Sequence, residues 1–164
     1  MIFVSVGTQK FQFNRLIKAI DNLALSGELS DRIIAQIGYC NYSPKSIEFY
    51  SFLSPEDFER NINMCDIVVT HSGVGTIVKG LKAGKPVIVV PRLAKYGEHV
   101  DDHQIEIADA FTDKNYVLKC NDVNKLPAIL KEAKVHTFQR YVSQQSKAID
   151  VVRDFLDSCE QEAH

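Results

Sequence analysis

The sequence predicts an α/β fold: one domain over residues 1–164, with an open, mainly parallel sheet covered by helices on both faces. Three observations carry that expectation. Short apolar, β-branched runs recur along the chain, as buried parallel strands do. Segments of helical period separate them. Two of the runs break directly into glycine loops, at Gly7 and at Gly73.

Taken in order, Ile2 to Val6 reads as a first buried strand ending at Gly7-Thr8. Asn14 is placed to cap a helix carrying Leu16, Ile17, Ile20, Leu23 and Leu25. Ile33 to Gly38 and the less apolar Ser46 to Phe52 give two further strands. Ser54-Pro55-Glu56-Asp57 opens a helix with a hydroxyl cap, a proline at its first position and acids in its first turn.

The central unit follows. Asp66 to Thr70 is a strand, His71-Ser72-Gly73-Val74-Gly75-Thr76 a loop, and Thr76 to Ala83 a helix that Gly84 stops in the left-handed conformation. Pro86 leads into Val87 to Val90, and Pro91 ends that strand. A polar loop runs from Arg92 to Glu98, then a helix from about Val100 to Phe111. Tyr116 to Leu118 is a last short strand, and a small helix opens at Pro127. A long amphipathic helix is expected from Thr137 to about Ser158, with Phe138, Tyr141, Val142, Ile149, Val152, Phe155 and Leu156 on one side.

Composition narrows the function. A net charge of −2 gives no electrostatic case for nucleic acid. Four dispersed cysteines without a Cys-x-x-Cys pair suit the reduced thiols of a cytosolic protein. No apolar run reaches the length of a membrane span, and the chain starts directly on a strand, so no signal peptide is expected.

In parallel sheets ligands bind beyond the carboxyl ends of the strands, where the Ser72 to Thr76 loop is expected. Gly73 and Gly75 would let the backbone approach a ligand, and the first helical amides would face it unsatisfied, which suits phosphate. A tight turn that binds nothing is the alternative. The loop is not a Walker A motif, since Gly84-Lys85 runs into Pro86 at the wrong end of the helix. It lacks the third glycine and the distant acid of a dinucleotide fingerprint. It is no nucleophile elbow either, because Thr70 stands where glycine is needed.

Three loops should meet at this edge: Gly7-Thr8-Gln9, His71 to Thr76, and Pro91 to Gln104. The third admits three readings. His99-x-Asp101-Asp102-His103 can be a metal site, because His99 and His103 can share a helix face, although no distant third ligand suggests itself. The acids can serve a solvated, well-capped helix start. Or carboxylate, imidazole and amide groups clamp sugar hydroxyls.

Val6-Gly7-Thr8-Gln9-x-Phe11-x-Phe13-Asn14-Arg15-Leu16-Ile17 and Thr70-His71-Ser72-Gly73-Val74-Gly75-Thr76 carry a resemblance, together with Gly84-Lys85-Pro86-x4-Pro91-Arg92 and Glu98-His99-x-Asp101-Asp102-His103-Gln104-x-Glu106. From residue 1 to about residue 120 the chain resembles the C-terminal domain of family 28 glycosyltransferases, and within it the short Alg13-like and PssE-like proteins. The resemblance implies a Rossmann-like sheet that is the C-terminal half of a GT-B fold. It implies a UDP-sugar donor whose diphosphate lies on the loop His71, Ser72, Gly73, Val74, Gly75 and Thr76. By the same analogy Gly7 and Thr8 line the pocket, and Asp102, His103 and Gln104 meet the sugar. Pro91, Arg92 and the loop to His99 would close over the donor.

No resident cofactor and no metal are expected, only the UDP-sugar substrate. Relatives commonly carry glutamate at the position of Lys79; lysine cannot accept from a ribose, so Lys79 either adds charge near the phosphates or is solvated. Asn14 stands where an aspartate is usual. GT-B enzymes close the donor with a second domain that carries the acceptor site and usually the base. The resemblance therefore implies a separate, membrane-anchored subunit similar to Alg14 or PssD that brings a lipid-linked acceptor. The chain would then be cytoplasmic and peripheral at the inner face of the membrane, with a homo-oligomer left open. The catalytic residue is unassigned: His71 is a candidate base, but its place beside the phosphates suits charge stabilisation better. The two functions this leaves are a catalytic donor-binding subunit and an accessory subunit that enhances a partner.

Overall fold

A computed structural model describes residues 1–142. Its elements are β1 (Ile2–Ser5), α1 (Asn14–Leu25), β2 (Ile33–Gln36), β3 (Glu48–Tyr50), α2 (Pro55–Met64), β4 (Ile67–Thr70), α3 (Val74–Lys82), β5 (Val87–Val89), α4 (His103–Thr112), β6 (Leu118–Lys119) and α5 (Leu126–Ala133). The six strands form one sheet in the order β3-β2-β1-β4-β5-β6. Every pairing is parallel.

Strand side chains alternate between faces, so each strand feeds two cores. Ile2 and Val4 pack with Leu16, Ile17, Ile20, Leu126 and Leu130, under α1 and α5. Phe3 and Val68 pack with Ile62, Ile77, Ala108 and Val117 on the opposite face, under α2, α3 and α4. Burial on both faces accounts for the unbroken apolar runs in β1, β4 and β5. Helix α3 lies especially close to the sheet: a Cβ on Gly80 would sit 2.8 Å from Val87 Cγ2.

The chain winds one way through β1, β2 and β3, then reverses through β4, β5 and β6. Neighbouring connections therefore diverge between β1 and β4 and open a crevice at their carboxyl ends. That crevice is where the first two loops meet.

Local signals were accurate at α2, where Ser54 Oγ accepts from the Asp57 amide at 3.1 Å. They misjudged Asn14. It is the first residue of α1 and makes no cap; its Oδ1 accepts from the Tyr42 amide at 3.2 Å and ties down a distant loop. The expected long C-terminal helix does not begin at Thr137. Residues 137–142 are non-helical because they are fastened to the turn after α4. There the Gln139 amide donates to Asn115 O, and Asn115 Nδ2 donates to Thr137 O, both at 2.9 Å. The rest of that expected helix lies outside the described residues. No helix among the described residues is long and apolar enough to cross a membrane.

Candidate functional site

At the mouth of the β1/β4 crevice is a cavity of about 390 Å³. Gly7, Thr8 and Gln9 wall one side; His71, Gly73, Gly75, Thr76 and Lys79 wall another. Gln36, Leu53, Pro55 and Phe58 complete it. Of these, Gln36, Leu53, Pro55 and Phe58 escape the sequence reading. Gln36 carried a signal: a polar residue inside an apolar run that the fold buries entirely.

Helix α3 starts at Val74, two residues earlier than expected, because Gly73 takes an extended conformation (φ −76°, ψ 113°) and serves as the cap residue. No side chain caps the helix. The Val74 and Gly75 amides therefore have no acceptor within the helix, and they sit at its positive end. A Cβ on Gly75 would meet nothing within 4 Å, so this corner is open. Ser72, just before the helix, is buried and is not among the residues lining the cavity; its Oγ has no hydrogen-bond partner. A buried hydroxyl without a partner is costly.

Gly7 and Gly73 are needed for a different reason from the one expected. A Cβ at Gly73 would lie 2.2 Å from His71 Nε2, and one at Gly7 2.5 Å from His71 Cε1. The imidazole is wedged between two glycines, which make room for a ring before they make room for a ligand. His71 Nδ1 lies 3.3 Å from Thr70 Oγ1, whose own hydrogen is committed to Ser5 O at 2.8 Å. The Nδ1 atom therefore carries the ring proton, and Nε2 is a bare acceptor. Burial, with the Arg92 charge adding to it, lowers the pKa of His71 to about 4. With no anion beside it, the ring is uncharged at neutral pH. It is a weak base as well.

The third loop does not line the cavity. Arg92, expected to close over a donor, is wholly buried. Its Nη1 donates to Phe11 O, Gln12 O and Glu98 O at 2.9, 3.2 and 3.1 Å, and its Nη2 donates to Val6 O at 2.6 Å. Glu98 beside it takes two bonds from Arg15 at 3.0 and 2.9 Å and the Leu93 amide at 3.0 Å. Pro91 O accepts from Arg15 Nη2 at 2.9 Å. Arginine and glutamate here fasten the segment after β1 to the segment after β5.

Gln104 is also inward-facing. Its Oε1 accepts from the amides of Ser72 at 3.3 Å and Arg92 at 3.0 Å, leaving only its amide nitrogen for a ligand. Asp102 Oδ1 accepts from the Ala94 amide at 2.8 Å. His99 and His103 are drawn together around Asp101, with His99 buried and His103 exposed. Lys79 faces the cavity but folds over Phe58, its Nζ 5.0 Å from the ring centre.

Comparison with known proteins gives the family and the fold. The model of the glycosyltransferase family 28 C-terminal domain matches residues 1–157. The human UDP-N-acetylglucosamine transferase subunit ALG13 is 28% identical over 126 residues, 73% of this chain and 11% of that protein. The Cryptococcus neoformans protein of the same name is 33% identical over 108 residues, 62% of this chain and 49% of its own length. The chain thus spans about a tenth of the human relative and half of the fungal one. Among solved structures, the kitacinnamycin glycotransferase superposes with a TM-score of 0.64 at 20% identity, over 82% of this chain and 34% of the other. An ALG13 solution structure gives 0.58 at 19%, over 92% and 93%. These superpositions establish the fold. With the family match along nearly the whole sequence, the chain belongs to the glycosyltransferase family 28 C-terminal domain family.

Proposed function

We propose that this chain is the UDP-sugar-binding, catalytic subunit of a two-component inverting glycosyltransferase that extends a lipid-linked saccharide in exopolysaccharide, capsule or N-glycan precursor synthesis. The observation that carries the reading is the uncapped start of α3 at the sheet's switch point, on the wall of the cavity and next in sequence to a buried Ser72 hydroxyl without a partner. Cleaving the sugar–phosphate bond leaves negative charge on UDP. Fixed amides and a helix N-terminus stabilise that charge without reorganising. The loop from His71 to Thr76 holds the diphosphate, and the cavity bounded by Leu53, Pro55 and Phe58 takes the nucleoside. Lys79, on the cavity wall, adds the positive charge there.

None of the acids among the described residues lines this cavity, and His71 is too weakly basic to take a proton at neutral pH. The base and the acceptor site belong to a membrane-anchored partner. This chain attaches to the inner face of the membrane through that partner. The same observation favours a second reading, an accessory subunit that enhances the partner without turning over.

Calorimetric titration with UDP, UDP-N-acetylglucosamine, UDP-glucose and UDP-galactose tests the first reading. UDP-N-acetylglucosamine leads because the relatives' names specify it. No heat with any of them, with the partner present, would sink it. Co-expression with the partner then separates the two readings: loss of transfer by Ser72→Ala in an intact complex supports catalysis here, and unchanged transfer supports the accessory role.

A further inference from the structure

The His71 ring presents a lone pair where an anion needs hydrogens. Its Nε2 lies 2.2 Å from the place a Gly73 Cβ would take and 2.7 Å from that of Gly7. Gly73 directly precedes the uncapped Val74 and Gly75 amides, and His71, Gly73 and Gly75 all border the one cavity. The amides and the Lys79 ammonium offer hydrogens to that space; His71 Nε2 offers none.

The lone pair is locked in place from the other side of the ring. Thr70 Oγ1 gives its hydrogen to Ser5 O at 2.8 Å and so accepts from Nδ1 at 3.3 Å. Ser5 O also accepts the His71 amide, at 3.4 Å. Moving the ring proton to Nε2 would set two lone pairs against each other at Nδ1, unless Thr70 gave up its bond to Ser5 O. A ligand hydroxyl can donate to Nε2 as it stands. An ionised phosphate oxygen, which only accepts, cannot. The ring meets a diphosphate by gaining a proton or by breaking that chain of bonds, and gaining a proton leaves the chain intact.

We infer, resting on the donor-site reading, that a diphosphate bound at the start of α3 accepts a hydrogen bond from His71 Nε2, and that this atom takes up one proton from solvent as the donor binds. The proton adds to the Nε2 lone pair, and no covalent bond breaks. Burial is the first obstacle to it and the Arg92 charge the second; the backbone bond to Ser5 favours it and His99 opposes it, which together leave the ring at about 4. Lys79 shares the cavity wall, and none of the acids among the described residues does. An opposite charge within about 4–6 Å raises a histidine pKa by roughly one to three, and a diphosphate brings two such charges. That carries His71 into the neutral range. The protonated ring then adds positive charge where negative charge develops on the departing diphosphate. A nitrogen that already holds a proton is no base for the acceptor, which leaves that task to the partner.

The test titrates the full chain, with its partner, calorimetrically at neutral pH with UDP-N-acetylglucosamine, UDP-glucose and UDP-galactose, whose diphosphates do not titrate there. Each titration is run in PIPES and in Tris, buffers of different ionisation heat, so the difference in binding heat counts protons. Uptake of about half to one proton is expected. The bound ring has the higher pKa, so the gain in affinity is complete below the ligand-free value of about 4 and is lost as pH rises through the bound-state value, by up to about tenfold per pH unit. His71→Gln, whose amide donates without gaining a proton, should bind with no uptake and a flat pH profile. Binding heat that is the same in both buffers overturns the proposal on the unaltered chain alone, and so does uptake that His71→Gln retains; either leaves the donor-site reading standing. No heat with any of the three nucleotides overturns both.

Discussion

The loops that follow β4 and β5 leave the same edge of the sheet, and both are dense in hydrogen-bonding groups, yet they spend those groups in opposite ways. After β5, Arg92 and Glu98 spend most of their groups on neighbours: four carbonyls on one guanidinium, whose Nε alone has no partner, and an arginine and an amide on one carboxylate. After β4, the start of α3 is uncapped and the Ser72 hydroxyl is unpartnered. A polar loop that spends nearly all its groups inside the fold is a fastening. One that leaves its donors unspent is waiting for a ligand. Charge and polarity alone do not separate the two.

The contrast can be broken in four places. Arg92→Met should have the largest effect. It strips partners from four carbonyls, and a loss of about 3–5 kcal/mol is expected, as for breaking a buried ion pair. Urea unfolding reads it. A loss below about 1 kcal/mol would mean that the fastening is idle.

Next is the pH dependence from His71. Its folded pKa, about 4, lies below the ordinary 6.5, so between those values the unfolded chain takes up a proton that the folded one refuses. This contribution to stability is complete above pH 6.5 and falls away as pH drops toward 4, by about 3 kcal/mol in all. His71→Gln should flatten that slope. An unchanged slope would place the titrating group elsewhere.

Gly73→Ala should cost about 1–3 kcal/mol by overpacking, because its methyl meets the imidazole. Combining it with His71→Ala should recover most of that loss in a double-mutant cycle. Additive losses would dissolve the wedge. The smallest effect on stability belongs to Ser72→Ala, within about 0.5 kcal/mol, since the hydroxyl has no partner to lose. The same change should weaken UDP binding about tenfold or more, the worth of a hydrogen bond to a charged group. A stability loss without an affinity loss would reverse the assignment.

Much of this was legible in the sequence where the cause is local. Ser54 and Asp57 form their cap within one turn, and Gly84 takes its positive φ of 67° where the helix pattern stops. The inner strands β1, β2, β4 and β5 were legible because burial on both faces leaves mostly apolar residues. Arg92 misled because its partners at Val6 and Phe11 lie more than 80 positions away. The sequence supplies a guanidinium and not the carbonyls around it. Gly73 misled for a similar reason: glycine announces that space is required, and the tenant, here His71, is known only once the chain is folded.

The wedged ring has a practical consequence for transplanting this loop into another scaffold. Moving His71 to Thr76 by itself would carry the ring without the slot contributed by Gly7, 64 positions upstream. The portable module is discontinuous: two short segments from separate strands, exchanged together or not at all.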